Sequence, residues 1–159
     1  MREKIFELSR ITSLLDEIDD SLDSMVKILL IGGWAMSLRG DKEATKDIDI
    51  VLMSKREFND LRVVLEKIGF NQRDELNEPY EKMNTSVFTD KRGYWIDLFF
   101  RRICKKFLLS ENAIKRGTKF GTFENLDVTI MSREDIFLSK SITERVGISM
   151  ICSLYTVED

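Results

Sequence analysis

Apolar residues recur along this chain with two different periods, and the switches between them lay out its elements. Over residues 3–24, Ile5, Leu8, Ile11, Leu14, Leu15 and Ile18 fall at near-helical spacing, which predicts an amphipathic helix covering the core. The run KILLI, residues 27–31, stops at Gly32-Gly33 and reads as a buried strand. GWAMSLRG predicts a short helix with Gly40 as its stop, and DIDIVLM a second strand. Ser54 and Glu57 form a capping box ahead of a helix striped by Phe58, Leu61, Val64, Leu65 and Ile68, with Gly69 ending it. Residues 71–82 are polar and hold the single proline, Pro79, and read as a loop or a weak edge strand. TSVFTD, then Lys91-Arg92-Gly93, then YWIDLFF predict a hairpin. KFGTF and LDVTIM suggest another hairpin or extended pair, and Ser132 caps a last helix, REDIFLSKSITERV. No repeat or low-complexity segment interrupts the pattern. The expected class is α+β, a mixed β-sheet flanked by helices. One domain is expected over 1–159, with an N-terminal helix in 1–24, a core of sheet and helices in 25–131 and a C-terminal helix in 132–159.

One stretch breaks the rule that buried strands are apolar. In DIDIVL, Asp47 and Asp49 are two apart, so on a strand they share a face, about 6.6 Å apart along the chain. Ile48 and Ile50 then face the core. Two like charges side by side repel, and a hard divalent cation such as Mg²⁺ relieves that repulsion through oxygen ligands. A solvated pair on an exposed face would look the same. An EF-hand is excluded: counting from Asp47, the sixth residue is Leu52 rather than Gly and the twelfth is Phe58 rather than Glu.

Gly32-Gly33, between a buried strand and a helix, adds a second element. Such a turn lets backbone N–H groups approach a phosphate at a helix start. It is also an ordinary tight turn. It is neither a Walker loop nor G-x-G-x-x-G. A third carboxylate, Asp97, lies within YWIDLFF. Alternation places it with Trp95 and Phe99, opposite Tyr94, Ile96, Leu98 and Phe100. A carboxylate so surrounded by apolar groups needs a partner. Either a salt bridge to Arg101, Arg102, Lys105 or Lys106, or a place beside Asp47 and Asp49, would provide one.

Composition narrows the chemistry. The 159 residues contain no histidine, which removes Ser-His-Asp and Cys-His nucleophilic sites and zincin-type centres. Any general base is then a carboxylate or metal-bound hydroxide. The two cysteines, Cys104 and Cys152, are far apart and read as reduced thiols. A net charge of −3 argues against tight non-specific nucleic-acid binding, although Arg101, Arg102, Lys105 and Lys106 could form a local basic patch. The uncharged stretches 28–38 and 146–157 are too short to span a bilayer, so no membrane partner and a cytoplasmic location are expected.

Ile31-Gly32-Gly33, thirteen intervening residues and then Asp47-Ile48-Asp49-Ile50 resemble the signature of the nucleotidyltransferase fold related to DNA polymerase β. More narrowly, GGWAMSLRG, ATKDIDIVL and SREDIFLSKSITER look like the minimal nucleotidyltransferase-like proteins that include abortive-infection toxins. The resemblance covers most of residues 25–146. It implies that Asp47, Asp49 and Asp97 are the catalytic, metal-binding carboxylates and that Gly32 and Gly33 hold the nucleotide phosphates. Arg39 and Lys46 are further candidate phosphate contacts. It implies Mg²⁺ or Mn²⁺ as cofactor, a nucleoside triphosphate as substrate, and a hydroxyl acceptor on RNA, protein or a small molecule. Val146-Gly147-Ile148-Ser149-Met150 stands where relatives carry more acidic residues and more helix, so a shortened C-terminal helix is expected. The alternative is an inactive nucleotidyltransferase fold that binds nucleotide or a partner, such as one component of a toxin–antitoxin pair. A D-x-D glycosyltransferase would need a larger sugar-nucleotide domain.

Overall fold

The computed structural model describes residues 8–40, 47–73, 86–103 and 107–142. Helix α1 (Leu8–Ser21) leads into strand β1 (Val26–Ile31), and the short helix α2 (Gly32–Leu38) follows at once. Strand β2 (Asp47–Leu52) precedes helix α3 (Lys55–Lys67), which Ser54 caps by accepting the Glu57 N–H at 3.4 Å. A two-residue strand β3 (Asn71–Gln72) comes next, and then the hairpin of β4 (Ser86–Thr89) and β5 (Trp95–Phe100). Its turn is set by Asp90, whose carboxylate accepts from the backbone N–H groups of Arg92 and Tyr94. The chain continues through β6 (Arg102–Ile103), β7 (Phe107–Leu108), helix α4 (Glu111–Arg116), β8 (Thr118–Lys119), β9 (Leu126–Ile130) and helix α5 (Arg133–Ile142).

Seven strands form one mixed sheet in the order β3-β4-β5-β2-β1-β9-β8, and β6 pairs with β7 apart from it. Strand β1 is antiparallel to β2 and parallel to β9, and β2 is parallel to β5. The α+β class and the sheet flanked by helices are as the sequence pattern implies. Three features were not expected from it: helix α4, the small β6–β7 sheet, and the pairing of β1 with the distant β9. The weak strand expected after residue 70 is limited to β3 among the described residues.

Period-two alternation splits the central strands between two apolar layers. Val26, Ile28 and Leu30, Ile48, Ile50 and Leu52, and Ile96 and Leu98 pack on one face beneath Leu14 and Ile18 of α1 and Leu61 and Leu65 of α3. Leu29 and Ile31, Val51 and Phe99 pack on the other against Ala35 of α2, Ala113 of α4 and Ile136 of α5. By the same alternation Asp47, Asp49 and Asp97 belong to this second face. The first face fixes them there. A slip of β2 by one residue would carry Ile48 and Ile50 out of the core, and each such residue contributes about 1.5–3 kcal/mol by its burial. No helix among the described residues is long and apolar enough to cross a membrane. Lys46, Pro79, Cys104, Lys105, Lys106 and Cys152 lie outside the described residues, as does the chain beyond residue 142.

Candidate active site

The site grows from the end of β1. Ile31, its last residue, is the register partner of Asp49 on β2. The chain then turns at Gly32, which has φ +64°, in the left-handed region that a side chain disfavours. A Cβ at Gly32 would overlap the Asp49 carboxylate. The glycine is therefore required twice, by its backbone angle and by the acid that fills the space beside it. Gly33 is the second residue of α2 and is half-buried.

Across the next strand boundary, β2 and β5 run parallel with Asp47 opposite Trp95 and Asp49 opposite Asp97. Adjacent strands lie about 4.8 Å apart, so Asp49 and Asp97 project side by side from one face. Asp47 is one pleat away and exposed, Asp49 is half-buried, and Asp97 is 1% exposed. The row continues to Val87 on β4, the register partner of Asp97, and then to Arg73, whose N–H donates to the Val87 carbonyl at 2.8 Å.

Asp97 is held by its own strand. The Trp95 indole N–H donates to Asp97 Oδ1 at 2.8 Å, and the Arg73 guanidinium lies over the Trp95 ring at 5.2 Å. Arg101 is turned elsewhere: its Nε–H donates to the Met53 carbonyl at 2.9 Å, and its guanidinium sits over Phe100 at 5.3 Å. The Trp95–Asp97 contact was readable in part from sequence, since residues two apart on a strand share a face. Arg73 gave no such signal, because it follows a strand too short to show a period.

Like charges at facing cross-strand positions repel, and hard oxygen donors suit a hard cation. Among the described residues, no group of three or more acidic, cysteine or histidine side chains closes around a metal position by itself. The donor set drawn together is the Asp49–Asp97 pair. That number fits Mg²⁺, which is held by one or two carboxylates and completes its shell with water and substrate phosphates. The side-chain position that Gly32 leaves vacant is taken by the Asp49 carboxylate itself, so the turn and the acid are packed against each other.

Arg39 is not brought to these carboxylates. Its Nε–H donates to the Met131 carbonyl at 2.8 Å, and its Nη2 to the Ile130 carbonyl at 3.0 Å and Thr118 Oγ1 at 3.2 Å. It fastens the end of α2 to the strands β8 and β9. Lys46 falls outside the described residues.

No protein-family model and no curated protein matches the sequence. The likeness lies in three dimensions. A candidate nucleotidyltransferase from Thermotoga maritima superposes over 100% of both chains with a TM-score of 0.61 at 14% identity. The lincosamide antibiotic adenylyltransferase LnuA, in its lincomycin-bound structure, matches 85% of this chain and 86% of its own with a TM-score of 0.59, also at 14% identity. ANT(2")-Ia, in complex with adenylyl-2"-tobramycin, matches 82% of this chain and 74% of its own with a TM-score of 0.53 at 17% identity. The mixed sheet, the glycine turn after β1 and the carboxylates on β2 and β5 are thus laid out on a nucleotidyltransferase fold.

Proposed function

We propose that the protein is a Mg²⁺-dependent nucleotidyltransferase that moves a nucleoside monophosphate from a nucleoside triphosphate to a hydroxyl acceptor. The observation that carries this reading is the in-register pair Asp49–Asp97, with a side-chain-free turn at Gly32 against the first carboxylate. Asp49 and Asp97 would hold the metal, with Asp47 one pleat away on the same face, and Gly32 and Gly33 would admit the phosphates to the start of α2. Bound there, Mg²⁺ would supply positive charge to the triphosphate oxygens as the α-phosphorus is attacked.

The residues of this chain then have separable tasks. Gly32 gives the Asp49 carboxylate room against the turn, which a side chain would deny it. Asp49, beside Asp97, would hold the metal at the triphosphate end of the site. Asp97, whose Oδ1 accepts the Trp95 indole N–H, would take the acceptor hydroxyl's proton on its carboxylate. The acceptor's own oxygen then bonds to the α-phosphorus, the bond from that phosphorus to the β-phosphate oxygen breaks, and pyrophosphate leaves. With no histidine in the chain, a carboxylate suits the role of base.

The solved structures named above make a small polyhydroxylated molecule the first acceptor class to try, with RNA and protein hydroxyls next. The test is label transfer from each α-³²P nucleoside triphosphate, with Mg²⁺, to three acceptor sets: aminoglycosides and lincosamides, total RNA, and cell extract. Transfer by the wild type that is absent in Asp49→Asn supports the reading. Equal, background-level labelling by both proteins overturns it.

A further inference from the structure

We infer that Trp95 is a positioning residue for this site: its indole N–H fixes the plane of the Asp97 carboxyl, and Arg73 in turn fixes the indole. The inference rests on the nucleotidyltransferase reading and extends it to two residues that no carboxylate-and-glycine signature contains.

A carboxyl group turns about a soft terminal torsion, so burial alone does not orient it. Asp97 is almost fully buried, and the indole of Trp95 donates to its Oδ1 at 2.8 Å, within the range of a good hydrogen bond. The acceptor is a charged group, which makes the bond stronger than one between neutral partners. With Oδ1 engaged by the indole, the plane of the carboxyl is set relative to Asp49 on the neighbouring strand. Trp95 itself is only half-buried. A phenylalanine would supply a comparable apolar ring at that position, so the N–H is the feature that sets tryptophan apart.

Arg73 completes the arrangement from the β3 edge of the sheet. Its backbone joins the row that runs through Asp49, Asp97 and Val87, and its guanidinium covers the Trp95 ring at 5.2 Å. A stacked cation restrains the ring and sets positive charge on the carboxylate face. Trp95 is also the register partner of Asp47 on β2.

The test compares wild type, Trp95→Phe, Arg73→Met and Asp49→Asn in three measurements. These are thermal melts without metal, calorimetric binding of Mn²⁺ with each of ATP, GTP, CTP and UTP, and the side-chain indole N–H resonances with and without Mg²⁺ and the nucleotide that binds. Trp95→Phe is expected to melt near wild type while binding the Mn²⁺–nucleotide pair about ten- to a hundredfold more weakly, the effect of one hydrogen bond to a charged group. Arg73→Met is expected to shift binding in the same direction by roughly two- to fivefold. The Trp95 indole N–H resonance is expected to move when Mg²⁺ and nucleotide are added. Wild-type affinity in Trp95→Phe overturns the inference and leaves the proposed function standing. No binding by wild type, or equal binding by Asp49→Asn, overturns the proposed function and the positioning role with it. Should Trp95→Phe fail to fold, Arg73→Met decides, and unchanged affinity there overturns the inference.

Discussion

Gly32 and Asp49 stand so close that no side chain fits between them: a Cβ on the glycine would overlap the carboxylate of the acid. The backbone at Gly32 is also left-handed, with φ +64°. These two constraints can be separated. Gly32→Ala should destabilise the protein by more than the ~1–2 kcal/mol that a left-handed backbone alone costs a residue with a Cβ. In an Asp49→Ala background the overlap disappears and only the backbone cost remains. Urea unfolding of the two single variants and the double variant gives the cycle, and the double variant is expected to lose ~1 kcal/mol or more less stability than the sum of the two singles. Strict additivity would mean that the turn does not press on the acid.

Asp49 and Asp97 face each other across β2 and β5 as like charges. Removing one charge while keeping the shape should relieve the apo protein and cripple the site. Asp49→Asn and Asp97→Asn are each expected to be as stable as wild type without metal, or up to ~1 kcal/mol more stable. Label transfer should fall by roughly 10²–10³-fold or more in each. The opposite pattern, a loss of about 3 kcal/mol or more in the apo protein, would identify Asp97 as half of a buried structural ion pair. Thermal melts with and without Mg²⁺ distinguish the two.

What the sequence made legible follows from the range of the interactions involved. The Ser54 cap, the stripe from Phe58 to Leu65 and the Asp90 turn are local, and local chemistry wrote them plainly, whereas the Glu57 carboxylate expected to close a capping box accepts the Lys27 N–H of β1 instead. The two faces of β2 and β5 followed from alternation. The parallel pairing of those strands joins residues separated by the whole of α3 and the β4 hairpin arm, and no local signal sets its register. So Asp97 could be assigned a face by sequence, but its place opposite Asp49 came only from the sheet. Helix α4 was missed because six residues show too little of a helical period, although Ser110 caps it by accepting the Ala113 N–H. Arg39 looked like a free cation near a phosphate turn. Its engagement with Ile130 and Met131 depends on β1 lying beside β9, a long-range pairing.

That engagement gives Arg39 a structural test. Arg39→Met keeps much of the aliphatic stem and removes the donors that reach two backbone carbonyls and Thr118. A loss of about 1–3 kcal/mol of stability is expected, because carbonyl groups at the β9 end lose their partners. Nucleotide affinity of the folded fraction should change by less than threefold. A phosphate contact would produce the reverse: unaltered urea unfolding and a clear loss of affinity in calorimetry.

The last prediction concerns pH and lies away from the carboxylate row. Asp135, at the start of α5, is almost fully buried and accepts two hydrogen bonds from Arg116 of α4, from Nε at 2.9 Å and from Nη2 at 2.8 Å. The Arg116 guanidinium holds the Asp135 carboxyl below its ordinary value of 3.8. Burial opposes this shift, and the Ser132 hydroxyl, which donates to Oδ2 at 2.7 Å, adds to it. A carboxylate whose pKa is lower folded than unfolded contributes stability that is fully present above its unfolded value. That contribution fades as the pH falls from about 4 through the depressed folded value. Arg116→Met should therefore be less stable than wild type at pH 7, with Asp135 buried and deprived of its bidentate partner. The gap should narrow steadily as the solution is acidified below about pH 4 and the carboxyl becomes neutral in both proteins. Urea midpoints measured for both proteins from pH 7 down to pH 2.5 check this. A gap that stayed constant over that range would mean that Arg116 supports α5 by packing rather than by its charge.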